Sequence, residues 1–138
     1  MVEKGYVDVN VFVYWLGGHP EFGGKAKEWI EKIKDGRSRF YTSALTIYEA
    51  LVVLAGLSGR SLRDHVLTQI VVDAFSSLKG LRILELRSRD FGAALGFMEK
   101  YALDFEDAVH LAAAARSNVD FIVSNDSDFD RTPYKRVF

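Results

Sequence analysis

Apolar positions along the chain fall into short dense runs and longer runs at helical spacing. From Gly5 to Val13, valines and aromatics are interrupted by Asp8 and Asn10 two positions apart, which predicts a strand carrying both polar side chains on one face. The Gly17-Gly18-His19-Pro20 stretch ends that element. Lys25 to Lys34 sets Ala26, Trp29, Ile30 and Ile33 at helical spacing, and Gly36 closes the helix. Phe40 to Ser43 reads as a short strand, followed by a helix from Ala44 to Leu57. A further helix is predicted over Ser61 to Leu78, with Ser61 as N-cap and Leu62, Val66, Leu67, Ile70, Val71 and Ala74 on one face. Gly80 separates it from a strand over Arg82 to Leu86. Helices over Ser88 to Tyr101 and Asp104 to Ser117 follow, then a buried strand, Phe121 to Ser124, and an edge strand within Tyr134 to Phe138.

Strands separated by helical crossovers pair in parallel and carry helices on both faces. The expected fold is a three-layer α/β/α sandwich around a mainly parallel sheet of four to five strands. At 138 residues with 49% hydrophobic content, the chain has room for one such domain, spanning residues 1–138. Phe40 to Gly59 carries Glu49 as its only charge, near the middle where lipid tolerates it least, so a buried core helix is expected there and no membrane span. The N-terminal run leads into Gly17, Gly18 and Pro20 and shows no signal-peptide cleavage pattern; a soluble cytoplasmic protein is expected.

Charge and composition narrow the chemistry. Eighteen Lys and Arg against nineteen Asp and Glu give a formal net charge of -1, which excludes a broad basic field and leaves room for a local basic patch. With no cysteine there is no disulfide, no thiolate nucleophile and no Cys-based metal site. The glycines between Gly17 and Ala26 do not make a phosphate-binding loop, because His19 stands where the first glycine is needed and Ala26 where Ser or Thr would hold magnesium.

Carboxylates remain. Ligands of open parallel sheets bind beyond the carboxyl ends of the strands, and there Asp8 follows the first strand while Asp126 and Asp128 follow the last long one. Asp126, Asp128 and Asp130 equally suit turn chemistry. Glu49, in an apolar helix, needs a positive neighbour; an arginine such as Arg60 or Arg82 meets that need as well as a metal does. Asp104 and Asp107 open the alanine-rich helix at capping-box spacing, and a capping Asp104 leaves Asp107 free to point off the first turn. His110, three residues on, reads as a packed or hydrogen-bonded histidine, and His19 and His65 show no metal-ligand spacing.

Four segments in order, Tyr6-Val-Asp-Val-Asn-Val-Phe12, Thr42-Ser-Ala-Leu-Thr-Ile-Tyr-Glu49, Asp104-Phe-Glu-Asp-Ala-Val-His-Leu-Ala112 and Phe121-Ile-Val-Ser-Asn-Asp-Ser-Asp-Phe129, resemble the PIN-domain ribonucleases, especially VapC-type toxins. The likeness covers essentially the whole chain. It departs from the family at Ser124, where Thr is commoner, and at Val9, where Thr or Ser often stands; neither change removes a carboxylate.

The resemblance implies a catalytic and metal-holding set of Asp8, Glu49, Asp107 and Asp126, supported by Asn10, Ser124 and Asp128. It implies an Mg²⁺- or Mn²⁺-dependent endoribonuclease, the toxin of a VapBC-type toxin–antitoxin pair, acting as a homodimer and restrained by a small antitoxin. An all-oxygen acidic cluster does favour such hard ions, which relieve its mutual repulsion and activate water for phosphodiester hydrolysis. Arg60, Arg63, Arg87, Arg89 and Arg131, with Lys135 and Arg136, are candidate RNA-phosphate contacts. Trp15, Phe22, Phe91 and Phe97 are candidates for dimer or antitoxin contacts, with core packing the competing use. Alternative readings are a housekeeping PIN nuclease of RNA processing or decay, and a non-catalytic PIN-like binding module.

Overall fold

The structure, a computed structural model, describes residues 3–138. In chain order the elements are β1 (Lys4–Val7), α1 (Val9–Leu16), α2 (Gly23–Asp35), β2 (Arg39–Ser43), α3 (Ala44–Ser58), α4 (His65–Ser77), β3 (Leu81–Leu84), α5 (Ser88–Tyr101), α6 (Phe105–Arg116), β4 (Phe121–Val123), a 3-10 turn (Ser127–Arg131) and β5 (Lys135–Val137). The strands form one five-stranded sheet in the order β3-β2-β1-β4-β5, every pair parallel. This is the expected α/β/α sandwich, with β5 at the edge.

Strand alternation sends side chains into two cores. Tyr6, Tyr41 and Ile122 lie in register across three strands and join Ala94, Leu103, Leu111 and Phe129 under α5 and α6. Val7, Phe40, Leu81 and Val123 point the other way, into Phe12, Ile30, Ile33, Leu54 and Phe75 of α1 to α4. Gly5 lies between the rings of Phe40 and Phe121, where an added Cβ would come within 2.6 Å of Phe121. Gly36 ends α2 at φ 74°, the left-handed conformation that glycine adopts most readily.

Three local expectations are corrected. The first strand stops at Val7; Asp8, extended at ψ 160°, accepts the Val9 N–H at 2.8 Å and starts a helix through residues that alternate as a strand would. Packing of Val11 and Phe12 into the core overrides the β-propensity of the valines. The helix expected from Ser61 starts at His65 instead, because Asp64 is the cap, accepting from Leu67 N at 3.0 Å, while Ser61 forms a turn with Arg63. The helix after β2 is not a buried core helix: Ala50 and Leu54 face inward, but Tyr48, Val52, Val53 and Leu57 are exposed, since only part of its apolar circumference is covered by α1 and α4. Among the described residues no helix is long and apolar enough to cross a membrane.

Candidate active site

The chain runs outward from β1 to β2 and β3, then returns to place β4 on the other side of β1. The reversal of strand order between β1 and β4 opens a crevice at their carboxyl ends. Asp8 leaves β1 there and Ser124 to Asp128 leave β4.

Asp8 is buried, and each of its oxygens is engaged. Oδ1 takes the Val9 N–H; Oδ2 takes the Ser124 hydroxyl at 2.7 Å and the Asn10 amide at 3.2 Å. Ser124 accepts in turn from Asp126 N at 3.0 Å, and Asn10 Oδ1 from Asn125 N at 3.3 Å. Asn10 and Ser124 thus couple the end of β1 to the loop after β4. Thr42 adds a brace that the sequence reading overlooked, donating at 2.8 Å to the Val7 carbonyl just before Asp8. Burial pushes the Asp8 pKa up, against the pull of His110, Ser124 and Val9 N.

Asp107 comes from the first turn of α6. Asp104 caps that helix by accepting Asp107 N at 2.8 Å, and Asp107 itself is half-buried. Asp126 caps the 3-10 turn through Asp128 N at 2.9 Å. Its turn role and its place in the acidic group therefore coexist. Carboxylate oxygens of Asp107, Asp126 and Asp128 lie within 4.8 Å of one another. Burial, then repulsion from Asp8, Asp104 and Asp126, pushes the Asp107 pKa up to about 8.

Asp8 and Glu49 lie outside that group of three; Glu49, on α3, has as its positive neighbour neither Arg60 nor Arg82. His110 Nε2 meets Glu49 Oε1 at 2.5 Å and stands 3.9 Å from Asp8 Oδ1. Burial works against the Glu49 charge, but contacts with His110 and Glu106 outweigh it and lower the pKa. Glu106 answers in the opposite sense, raised to about 7 chiefly by its contact with Glu49. Glu106 was not among the residues the sequence singled out; its position one residue before Asp107 was the available signal.

The basic candidates divide. Arg131 donates to the carbonyls of Tyr101 and Ala102 and pairs with Asp128, and Arg136 pairs with Asp130 and donates to the Ser124 carbonyl, so both tie down the loop that carries Asp126. Arg60 pairs with Asp64 and Arg87 with Glu85. Arg63, Arg89 and Lys135 are exposed, and their side chains have no hydrogen-bonding or ion-pair partner among the described residues. Trp15 and Phe97 pack against the two cores, Phe22 stacks on His19, and Phe91 is exposed beside Phe105. A cavity of about 560 Å³ lined by Arg39, Lys79 and Arg82 lies at the other end of β2 and β3, away from the carboxylates.

Fold and site together define the class: a three-layer α/β/α domain with carboxylates gathered where the order of a parallel sheet reverses. The chain belongs to the PIN domain family, whose model matches residues 5–135. No curated protein matches the chain significantly. Among solved structures it is similar to VapC20 of Mycobacterium tuberculosis, described as a sarcin–ricin loop cleaving toxin, at 18% identity and TM-score 0.77 over 96% of this chain and 98% of that one. A toxin–antitoxin complex from Klebsiella pneumoniae gives 18% identity and TM-score 0.70 over 97% and 96%. DNA-bound VapBC from Salmonella typhimurium gives 15% identity and TM-score 0.64 over 99% and 98%.

Proposed function

We propose that this protein is a metal-dependent endoribonuclease and the toxin of a VapBC-type pair. The carrying observation is the group formed by Asp107, Asp126 and Asp128, in which burial, then repulsion from Asp8, Asp104 and Asp126, pushes Asp107 up to about 8. Such a donor set fits a hard divalent cation: all its ligands are oxygen, and their repulsion is relieved by a charge from outside. Asp107 and Asp126, with Asp8, Glu49 and Asp128 around them, are the residues that would hold Mg²⁺ or Mn²⁺. The ion would supply a polarised phosphoryl oxygen and an activated water.

The chain's own residues prepare that chemistry. Ser124, Asn10 and Val9 N fix Asp8 in one orientation, and Arg131 and Arg136 hold the loop bearing Asp126 and Asp128. Preorganisation of this kind spares the site a rearrangement when charge develops on the phosphate. Arg63 and Arg89, exposed with their side chains uncommitted, are suited to phosphate contacts. The descriptions of the similar structures as a sarcin–ricin loop cleaving toxin and a toxin–antitoxin complex support RNA as substrate and a small antitoxin as partner. The apolar groove of about 250 Å³ lined by Leu16, Leu54, Leu57, Leu67 and Ile70 supports an apolar protein contact, by antitoxin or second copy. The proposed compartment is the cytoplasm.

The purified protein is expected to cleave RNA with Mn²⁺ or Mg²⁺. Loss of an interaction worth several kcal/mol would lower the rate of Asp8→Asn and Asp126→Asn by about a thousandfold or more. Undiminished cleavage by both variants, or cleavage that persists in excess EDTA, would sink the assignment.

A further inference from the structure

Tyr6, Glu49 and His110 come from β1, α3 and α6 and meet in one line. The Tyr6 hydroxyl lies 2.7 Å from His110 Nδ1, and the opposite ring nitrogen contacts Glu49. Tyr6 and His110 are each 1% exposed, so neither side chain reaches solvent or an RNA strand. Their rings meet edge to face at 5.7 Å. A carboxylate only accepts, so Nε2 carries the hydrogen in the Glu49 contact. In a stretch of α6 buried from Ala108 to Ala114, where Ala113 and Ala114 lie one turn on, a histidine serving only to fill space would leave its nitrogens unused. Here both are engaged, and one of them stands between Glu49 and Asp8.

Resting on the reading of this crevice as a metal site, we propose that His110, braced by Tyr6, is a positioning residue that presents the Glu49 carboxylate to the ion. Glutamate has three side-chain torsions, and one that lines an ion site must be ordered before or during binding. The Tyr6–His110 strut orders it beforehand, from beneath the site. Partners that orient metal-binding carboxylates in this way typically change affinity or activity by about 10- to 100-fold when removed.

Mn²⁺ titration calorimetry on the full chain tests this without reference to RNA cleavage. His110→Leu is expected to weaken Mn²⁺ binding about 10- to 100-fold. His110→Gln, whose amide still donates toward Glu49, recovers most of that loss. Tyr6→Phe, which keeps the ring and removes the brace, gives a smaller loss in the same direction. Glu49→Gln and the Glu49→Gln/His110→Leu double variant bind alike, because His110 acts only through Glu49. Folding is checked by circular dichroism and melting; should His110→Leu fail to fold, Tyr6→Phe and His110→Gln decide. Wild-type affinity in folded His110→Leu, wild-type affinity in Tyr6→Phe when His110→Leu is unfolded, or additive losses in the double variant overturn the inference. Absence of Mn²⁺ binding by the wild type would instead overturn the proposed function, and this inference with it.

Discussion

Two aspartates, one buried on α5 and one half-buried on α6, have opposite fates. Asp90, in the first turn of α5, is 3% exposed and accepts from Arg116 Nε at 3.1 Å, Arg116 Nη2 at 2.9 Å and Arg87 N at 2.9 Å. Burial alone would raise its pKa, but the Arg116 hydrogen bonds and charge outweigh burial and hold it below the usual carboxylate range. Asp107 is driven the other way, to about 8, by burial and then by repulsion from Asp8, Asp104 and Asp126. The protein supplies the counter-charge in one place and withholds it in the other. The difference separates a carboxylate that holds helices together from one that, on the proposed reading, is kept ready for a cation.

The sharpest way to break this contrast is Arg116→Met. It leaves Asp90 buried without its charge partner and should cost about 3 kcal/mol of stability, read by urea denaturation, with Mn²⁺ affinity unchanged. A drop in Mn²⁺ affinity would show that the two regions are not independent. Asp107→Asn should act in reverse. Removing one of several repelling carboxylates should stabilise the metal-free protein at about pH 8 by on the order of 1 kcal/mol, allowing for solvent screening of half-buried groups, and Mn²⁺ should no longer raise the melting temperature.

The smallest effect is a slope. Asp107 and Glu106, raised to about 8 and about 7, bind protons more tightly folded than unfolded. Their contribution is complete below the ordinary carboxylate range and is lost as pH rises through 7 and 8. Asp90, with its pKa lowered, contributes above that range and loses its share only as pH falls through the lowered value. Melting of the metal-free protein should therefore decline from about pH 5 to about pH 8, and saturating Mn²⁺ should flatten the decline. A metal-free profile already flat over that interval would contradict the charge deficit at Asp107.

What the sequence made legible follows from locality. The alternation of strands with helices fixed the parallel architecture, and the capping geometry of Asp104 and Asp107 depends on four consecutive residues of one helix start. The Asp8 to Asn10 stretch misled because its valines alternate as a strand would, while the packing of Val11 and Phe12 that makes it helical is tertiary. His110 as the partner of Glu49 lay beyond the sequence for the same reason: the two are 61 positions apart, and no spacing rule links α3 to α6. Asp128 read as auxiliary through the family resemblance alone; the fold of the 3-10 turn brings its oxygen to Asp107 and Asp126.

The strand order β3-β2-β1-β4-β5 also bears on how the molecule is born. A chain emerging from the ribosome can assemble β1, β2 and β3 with their helices while one flank of β1 stays bare. Asp8, Glu49 and Asp107 are then already synthesised, yet Ser124, which grips Asp8, and Asp126 and Asp128 still await translation. The acidic group of Asp107, Asp126 and Asp128 is therefore assembled only when β4 docks on that flank, after nearly the whole chain has been made.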